Sequence, residues 1–360
     1  MDARPEIRHL KTSEHGGLNY SELEATGIAP GEVIDFSVSS NPNGPPPGLR
    51  VTTKGVRIER YPDSEANELR RCLGGKLGIE PRNILVGSGS TELIRLAALA
   101  YLGKGDTAVV IQPTFGEYEV ACNIMGGQIV RQQLALDDGF SLDTGSMVEM
   151  VKRHKPKVIF INNPNNPTGN YVSRHDFEKL LAAAPDSLIV LDEAYVSFVE
   201  NAWSPVDLTH DSNLLVLRSM TKDYALAGLR LGYAIGRKEI IDSLRRVCPP
   251  WNVNSIAQQA GLLVLQQDDF LRRSRAIAAR SKKYLMGELT RLGFRCLPSE
   301  ANFFLVEVGD AAGFRRRLLG KKMLVRDCTS FGLPGYIRLA PRDPRACRRL
   351  IAAIEELQAE

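Results

Sequence analysis

The chain predicts an α/β fold with a mostly parallel sheet covered by helices on both faces, and two observations predict it. Short, uninterrupted apolar runs recur through the first two thirds of the sequence, and stretches of helical periodicity separate them. Apolar runs without polar alternation belong to strands buried on both faces, as in parallel sheets whose crossovers are helices.

In order, residues 1 to about 34 form a polar lead-in containing His15-Gly16-Gly17 and a short helical stretch, Tyr20–Thr26. Val33–Ser37 reads as extended, and the proline-rich Asn41–Gly48 excludes helix and inner strand. Together, residues 1–45 read as an ordered arm crossing the site. Glu68–Leu77 is helical, Ile84–Val86 a strand, and Glu92–Leu102 a helix after the small-residue turn Gly87–Thr91. Strands follow at Ala108–Ile111, Val158–Ile161, Leu188–Leu191, Leu214–Leu217 and Tyr233–Gly236, with helices at Met147–His154 and Arg174–Ala184. Residues 46–247 are expected to form the large domain. Beyond Val247–Trp251, a long helical region spans Ile256–Leu292. Strands at Asn302–Glu307, Met323–Val325 and Tyr336–Leu339 and a closing helix at Arg345–Leu357 make residues 248–360 a smaller α+β domain.

A length of 360 residues with 43% hydrophobic and 24% charged residues suits one large and one small globular unit. A net charge of +4, with no basic tract interleaved with aromatics, argues against a nucleic-acid partner and suits a small anionic ligand. The six cysteines are scattered, and His9, His154, His175 and His210 form no ligand grouping, so neither a disulfide framework nor a metal site is expected. With no apolar leader and no apolar run of membrane-spanning length, the chain is expected to be cytoplasmic, without a membrane partner.

Ligands of open parallel sheets sit at the carboxyl ends of the strands, and the polar residues of this chain gather there. Gly89, Ser90 and Thr91 open a helix whose free N–H groups can cradle a phosphate. Glu92 stands where the last glycine of a dinucleotide fingerprint would fall. Phe115 can stack on a flat ring, and the amide of Asn166, in Asn162–Gly169, can bond a phenolic oxygen. Asp192 can pair with a pyridinium nitrogen. Ser219, Lys222 and Arg230 supply a hydroxyl, a Schiff-base amine and a bidentate phosphate ligand. Each signal alone is weak, and in combination they specify pyridoxal 5'-phosphate.

With these motifs the chain resembles the fold-type I pyridoxal-phosphate enzymes of the aminotransferase superfamily over nearly its whole length. The resemblance implies that Lys222 carries the cofactor, Asp192 holds its ring nitrogen, Asn166 and Tyr195 its hydroxyl, and Phe115 its ring face. It also implies that Tyr61 reaches the phosphate of a second subunit, making a homodimer with shared sites, and that Arg338 grips a substrate carboxylate. Two neighbouring enzyme families stand out, both handling small phosphorylated amines: histidinol-phosphate aminotransferases and the L-threonine O-3-phosphate decarboxylases of cobalamin synthesis. His15-Gly16-Gly17, Asp35–Ser37 and Pro250–Asn254 are similar to the decarboxylase, although Ser39 stands where that pattern has asparagine. Decarboxylation of threonine phosphate is therefore the expected reaction. Arg326, His15, Gly16 and Ser39 would hold the substrate phosphate, and Lys222 would move the proton. Transamination of histidinol phosphate with 2-oxoglutarate is the alternative, and a cofactor-free binding protein on the same fold is the third reading.

Overall fold

The computed structural model describes residues 1–8, 10, 12–49 and 56–360; His9 lies outside them. Two short helices, α1 (Pro5–Arg8) and α2 (Tyr20–Thr26), precede a two-residue strand, β1 (Ile34–Asp35). The large sheet and its helices follow as α3 (Asn67–Leu77), β2 (Ile84–Gly87), α4 (Ser90–Tyr101), β3 (Thr107–Gln112), α5 (Glu117–Ile124) and β4 (Gln128–Gln133). They continue with α6 (Thr144–His154), β5 (Val158–Asn162), α7 (Arg174–Ala183), β6 (Leu188–Asp192), β7 (Leu214–Ser219), α8 (Met220–Asp223), β8 (Gly232–Gly236) and α9 (Lys238–Val247). The remainder comprises α10 (Ser255–Leu265), α11 (Asp268–Arg291), β9 (Arg295–Cys296), β10 (Phe304–Glu307), α12 (Ala311–Gly320), β11 (Met323–Leu324), β12 (Arg326–Asp327), β13 (Tyr336–Leu339) and α13 (Pro344–Ala359).

Seven strands form one sheet in the order β2-β8-β7-β6-β5-β3-β4. Alternate residues of each strand enter different cores. Ile189, Leu191 and Val216 pack into one, with residues of α3, α6, α7 and α10. Leu188, Val190, Leu215 and Leu217 pack into the other, with residues of α4, α5 and α9. Burial of each such side chain contributes about 1.5–3 kcal/mol, so a one-residue slip of register would empty both cores. A four-stranded antiparallel sheet, β12-β13-β10-β9, carries a third core with α11, α12 and α13.

Several expectations are corrected. β8 runs antiparallel to both neighbours, because only a short connection separates it from β7. The helix expected over Ile256–Leu292 breaks at Gln266–Gln267; α10 and the first turn of α11, through Phe270, serve the large-sheet core, and the later turns of α11, through Leu285 and Leu289, serve the small one. β4 was missed because its sequence, QIVRQQ, is an exposed edge strand with little apolar signal. The extended run Val33–Ser37 is strand only at β1, which pairs in parallel with β11.

The arm is tied at both ends of this contact. Asn41 donates its backbone N–H to Lys222 O at 3.0 Å, and its Nδ2 donates to Asp223 O at 2.7 Å.

Candidate functional site

The carboxyl ends of the parallel strands open into a cleft of about 830 Å³, lined from the arm, both sheets and the loops after β2, β3, β5, β6 and β7. At its floor Asp192 ends β6 and is 2% exposed. The Tyr118 hydroxyl donates to its Oδ2 at 2.9 Å, and the Ala194 N–H donates to Oδ1 at 3.0 Å. Burial pushes the Asp192 carboxyl up to about 6 against the pull of those two donors and of Lys222. The site therefore holds a dry anion that a cationic ring nitrogen would stabilise.

Lys222 lies in α8 just beyond β7; its Nζ makes no hydrogen bond among the described residues and lies 5.9 Å from the centre of the Tyr195 ring. Burial, with Arg338 and Arg230 adding to it, lowers the amine to about 8. A substantial share is then unprotonated and nucleophilic near neutral pH.

The opposite end is built to receive an anion. Gly89 precedes the twelve-residue α4 with φ +78°, and a Cβ there would lie 2.7 Å from Arg230 Nη2. A Cβ at Gly232 would lie 2.9 Å from Arg218 O and 3.0 Å from Ser90 N. Both glycines keep open a cradle bounded by Ser90, Thr91, Ser219 and Arg230, with the N–H groups of a helix start facing it.

Between these ends, the Asn166 amide oxygen accepts from Arg338 Nη1, and Arg338 Nη2 donates to Ser37 O at 2.7 Å. Tyr195 is buried with its ring edge-on to Phe303 at 4.9 Å. Phe115 lies across the cleft, 5.6 Å from the His15 ring. Arg326 and Arg338 are paired across β12 and β13, both buried, so two guanidinium groups share one wall. Burial and the charge of Arg338 hold Arg326 below its usual range. Its Nη2 donates to Glu14 O at 2.9 Å and to Ser330 Oγ at 2.6 Å.

All but two of the expected residues line this cleft. Gly89 borders it only through Arg230. Tyr61 is elsewhere, 75% exposed and stacked on Trp251 with ring centres 4.1 Å apart. Ser39 lines the wall but is fully buried, and its hydroxyl has no hydrogen-bond partner among the described residues. Sequence reasoning missed Tyr118, Glu117 and Arg95. Glu117 is 4% exposed, with Oε1 3.3 Å from His15 Nε2 and Oε2 2.9 Å from Arg95 Nη2. His15 and Arg95 hold its carboxyl below the usual range. The only available signal was the run Phe115–Glu119 following a strand. Among the described residues no group of three or more His, Cys, Asp or Glu could hold a metal, and no helix is long and apolar enough to cross a membrane.

A buried anion and a depressed lysine at the strand ends, opposite an anion cradle, define a site for an aldehyde-bearing phosphorylated pyridine. The chain belongs to the aminotransferase class I and II family, whose model matches residues 31–354. It is 35% identical over 334 residues to a histidinol-phosphate aminotransferase of Symbiobacterium thermophilum, covering 91% of each chain. A histidinol-phosphate aminotransferase of Sinorhizobium meliloti, solved in complex with pyridoxal-5'-phosphate, matches the fold with a TM-score of 0.86. That match has 23% identity and covers 99% of this chain and 97% of the other. The L-threonine-O-3-phosphate decarboxylase of Porphyromonas gingivalis matches with a TM-score of 0.76 and 26% identity, over 90% of this chain and 99% of that one. The cofactor is pyridoxal 5'-phosphate, and the residues present fit it.

The expected threonine-phosphate decarboxylation is overturned. Curated relatives at 33–35% identity are histidinol-phosphate aminotransferases. The lyase and cobalamin assignments fall with it. The motifs behind that expectation have structural work instead. A Cβ at Gly16 would lie 2.5 Å from Ser37 O, His15 pairs with Glu117, Trp251 stacks on Tyr61, and Asn252 Nδ2 donates to Glu92 Oε2 at 2.7 Å. These contacts give the motifs a role in packing the arm and the turn before α10 that does not depend on which reaction the site performs.

Proposed function

We propose that this protein is an aminotransferase that moves the amino group of a small phosphorylated amine, histidinol phosphate, to 2-oxoglutarate. The observation that carries the reading is the pair of buried arginines, Arg326 and Arg338, side by side on one wall of the cleft. Two guanidinium groups suit a phosphate monoester in one half of the reaction and a dicarboxylate in the other. The histidinol-phosphate aminotransferases among the relatives support the same substrate class.

Pyridoxal phosphate, when bound, supplies an aldehyde that captures amines and a ring that accepts the electron pair released at the neighbouring carbon. Lys222 would hold the cofactor through Nζ, and the same amine would serve as the base that moves the proton of the substrate carbon. Asp192, held ionised by Tyr118 and the Ala194 N–H, keeps the proton on the ring nitrogen. Asn166 and Tyr195 would hold the ring hydroxyl, and Phe115 would pack on the ring. Gly89 keeps the cradle clear for Ser90, Thr91, Ser219 and Arg230 to bind the phosphate. Arg338 orients the substrate anion, and Arg326 with the His15–Gly16 segment closes the far end. Tyr61, exposed and outside its own cleft, is assigned to the site of a second copy in a homodimer.

The test is 2-oxoglutarate-dependent turnover of histidinol phosphate by the protein loaded with pyridoxal phosphate, with carbon dioxide release from threonine phosphate measured alongside. Turnover of the first and none of the second is the expected result. A protein inert toward histidinol phosphate would refute the reading.

A further inference from the structure

The residues immediately after Asp192 and Lys222 are both acids, and both point away from the cleft. Strand alternation places Asp192 and Ser219 on one face of the sheet, and Glu193 and Arg218 on the other. Glu193 is 1% and Asp223 8% exposed. Arg218, the residue before Ser219, donates Nε to Glu193 Oε2 at 2.6 Å. The Ser197 side chain, in the turn after Tyr195, lies beside the Asp223 carboxyl and draws its pKa down against burial. Glu193 Oε1 and Asp223 Oδ1 have no hydrogen-bond partner among the described residues.

Among the described residues, the charged and titratable groups facing this cluster are Asp192, Tyr171, Tyr233 and the three members themselves. One cation therefore serves two buried carboxyl groups. A dry pocket does not tolerate an unpaired carboxylate, so near neutral pH the two acids share one negative charge and one proton. Burial accordingly pushes both carboxyls up to about 7.

Every element that reaches this cluster presents a cofactor-facing residue on its other side. β6 carries Asp192, the turn at Val196–Phe198 follows Tyr195, β7 carries Ser219, and α8 carries Lys222. The arm closes the set through Asn41, bonded to the Lys222 and Asp223 carbonyls. A four-residue helix such as α8 has little stability of its own, so something beyond its own backbone must fix the lysine.

We propose that Glu193, Arg218, Asp223 and Ser197 are positioning residues for Lys222, locking α8 to the Asp192 strand from the face opposite the cofactor. None of the four is assigned to the binding of cofactor or substrate. Asp223 in its proton-bearing form is a shape that asparagine reproduces, whereas alanine does not.

The experiment follows capture of pyridoxal phosphate by the stripped protein, read as growth of the visible band that borohydride abolishes. This readout does not depend on which amine the enzyme uses, so its failure is distinguishable from failure of the proposed substrate. Asp223→Ala and Ser197→Ala are expected to slow band growth roughly tenfold, with inhibition by inorganic phosphate unchanged because the cradle is untouched. Asp223→Asn is expected to restore the rate to within about threefold of the parent. Should Asp223→Ala fail to fold, Ser197→Ala, which deletes a single hydroxyl, carries the test. Wild-type rates in both alanine variants, or an asparagine variant as slow as the alanine one, would overturn the proposal.

Discussion

Replacing Tyr118 by phenylalanine removes one oxygen atom and tests how Asp192 is kept ionised. The ring is fully buried and stacked on Phe160 with centres 5.2 Å apart, a contact phenylalanine retains. A hydrogen bond to a carboxylate in a dry site contributes about 1.5–3 kcal/mol. One pKa unit corresponds to about 1.4 kcal/mol, so the Asp192 carboxyl should rise roughly one to two units in the variant. It starts from about 6 in the parent protein. Because this pKa is already raised above its unfolded value, its contribution to stability is full below about pH 4 and is lost as pH rises through about 6. Phenylalanine deepens and extends that loss, so the stripped variant should melt lower than the parent by a margin larger at pH 8 than at pH 5.

Cofactor binding follows the same linkage. A protonated Asp192 cannot pair with a pyridinium nitrogen, so uptake of pyridoxal phosphate by the variant should be weaker by about tenfold near pH 6.5, as expected for about 1.4 kcal/mol. The deficit should narrow above pH 8, where the carboxyl ionises in both proteins. Titration of the visible band across this range measures it. Equal affinities throughout, or a deficit that does not change with pH, would show that Tyr118 does not govern the Asp192 charge.

Two further outcomes concern the lysine and the cradle. Lys222→Ala should abolish the borohydride-sensitive band and turnover while keeping the melting transition, and an unfolded variant would refute a purely chemical role. In the parent protein, capture of pyridoxal phosphate should quicken with pH, reach half its plateau near pH 8 and level about one unit higher, following loss of the Lys222 proton. Gly89→Ala places a Cβ 2.7 Å from Arg230 Nη2 at a φ of +78°. The left-handed backbone costs about 1–2 kcal/mol of fold stability, and the Cβ forces Arg230 away from the cradle, so affinity for pyridoxal phosphate should fall by roughly fivefold or more as part of a charge-assisted contact of about 1.5–3 kcal/mol is lost. Pyridoxal without its phosphate should be affected less, and an equal effect on both would place the damage outside the cradle.

Much of the site was legible in the sequence because a parallel sheet does the assembling. Once each apolar run is a strand with its carboxyl end on one edge, the residues after those ends must meet, and Asp192, Asn166, Ser219 and Lys222 do. The choice of reaction was not legible. His15-Gly16-Gly17 and Pro250–Asn254 looked like marks of a substrate, yet they answer to steric and packing demands of the arm and of the turn before α10.

The sequence alone therefore determined the fold class, the cofactor and which strand-end residues gather in one cleft, since local periodicity and strand-end position are properties of neighbouring residues. Only the tertiary structure decided what stands behind them: the Tyr118 hydroxyl under Asp192, the clamp of His15 and Arg95 on Glu117, and the Glu193–Arg218–Asp223 cluster beneath Lys222. These partners come from segments far apart in the chain, and a carboxylate's need for a donor does not say which distant residue will supply it. Burial creates that need, and the packing of distant elements selects the partner that meets it.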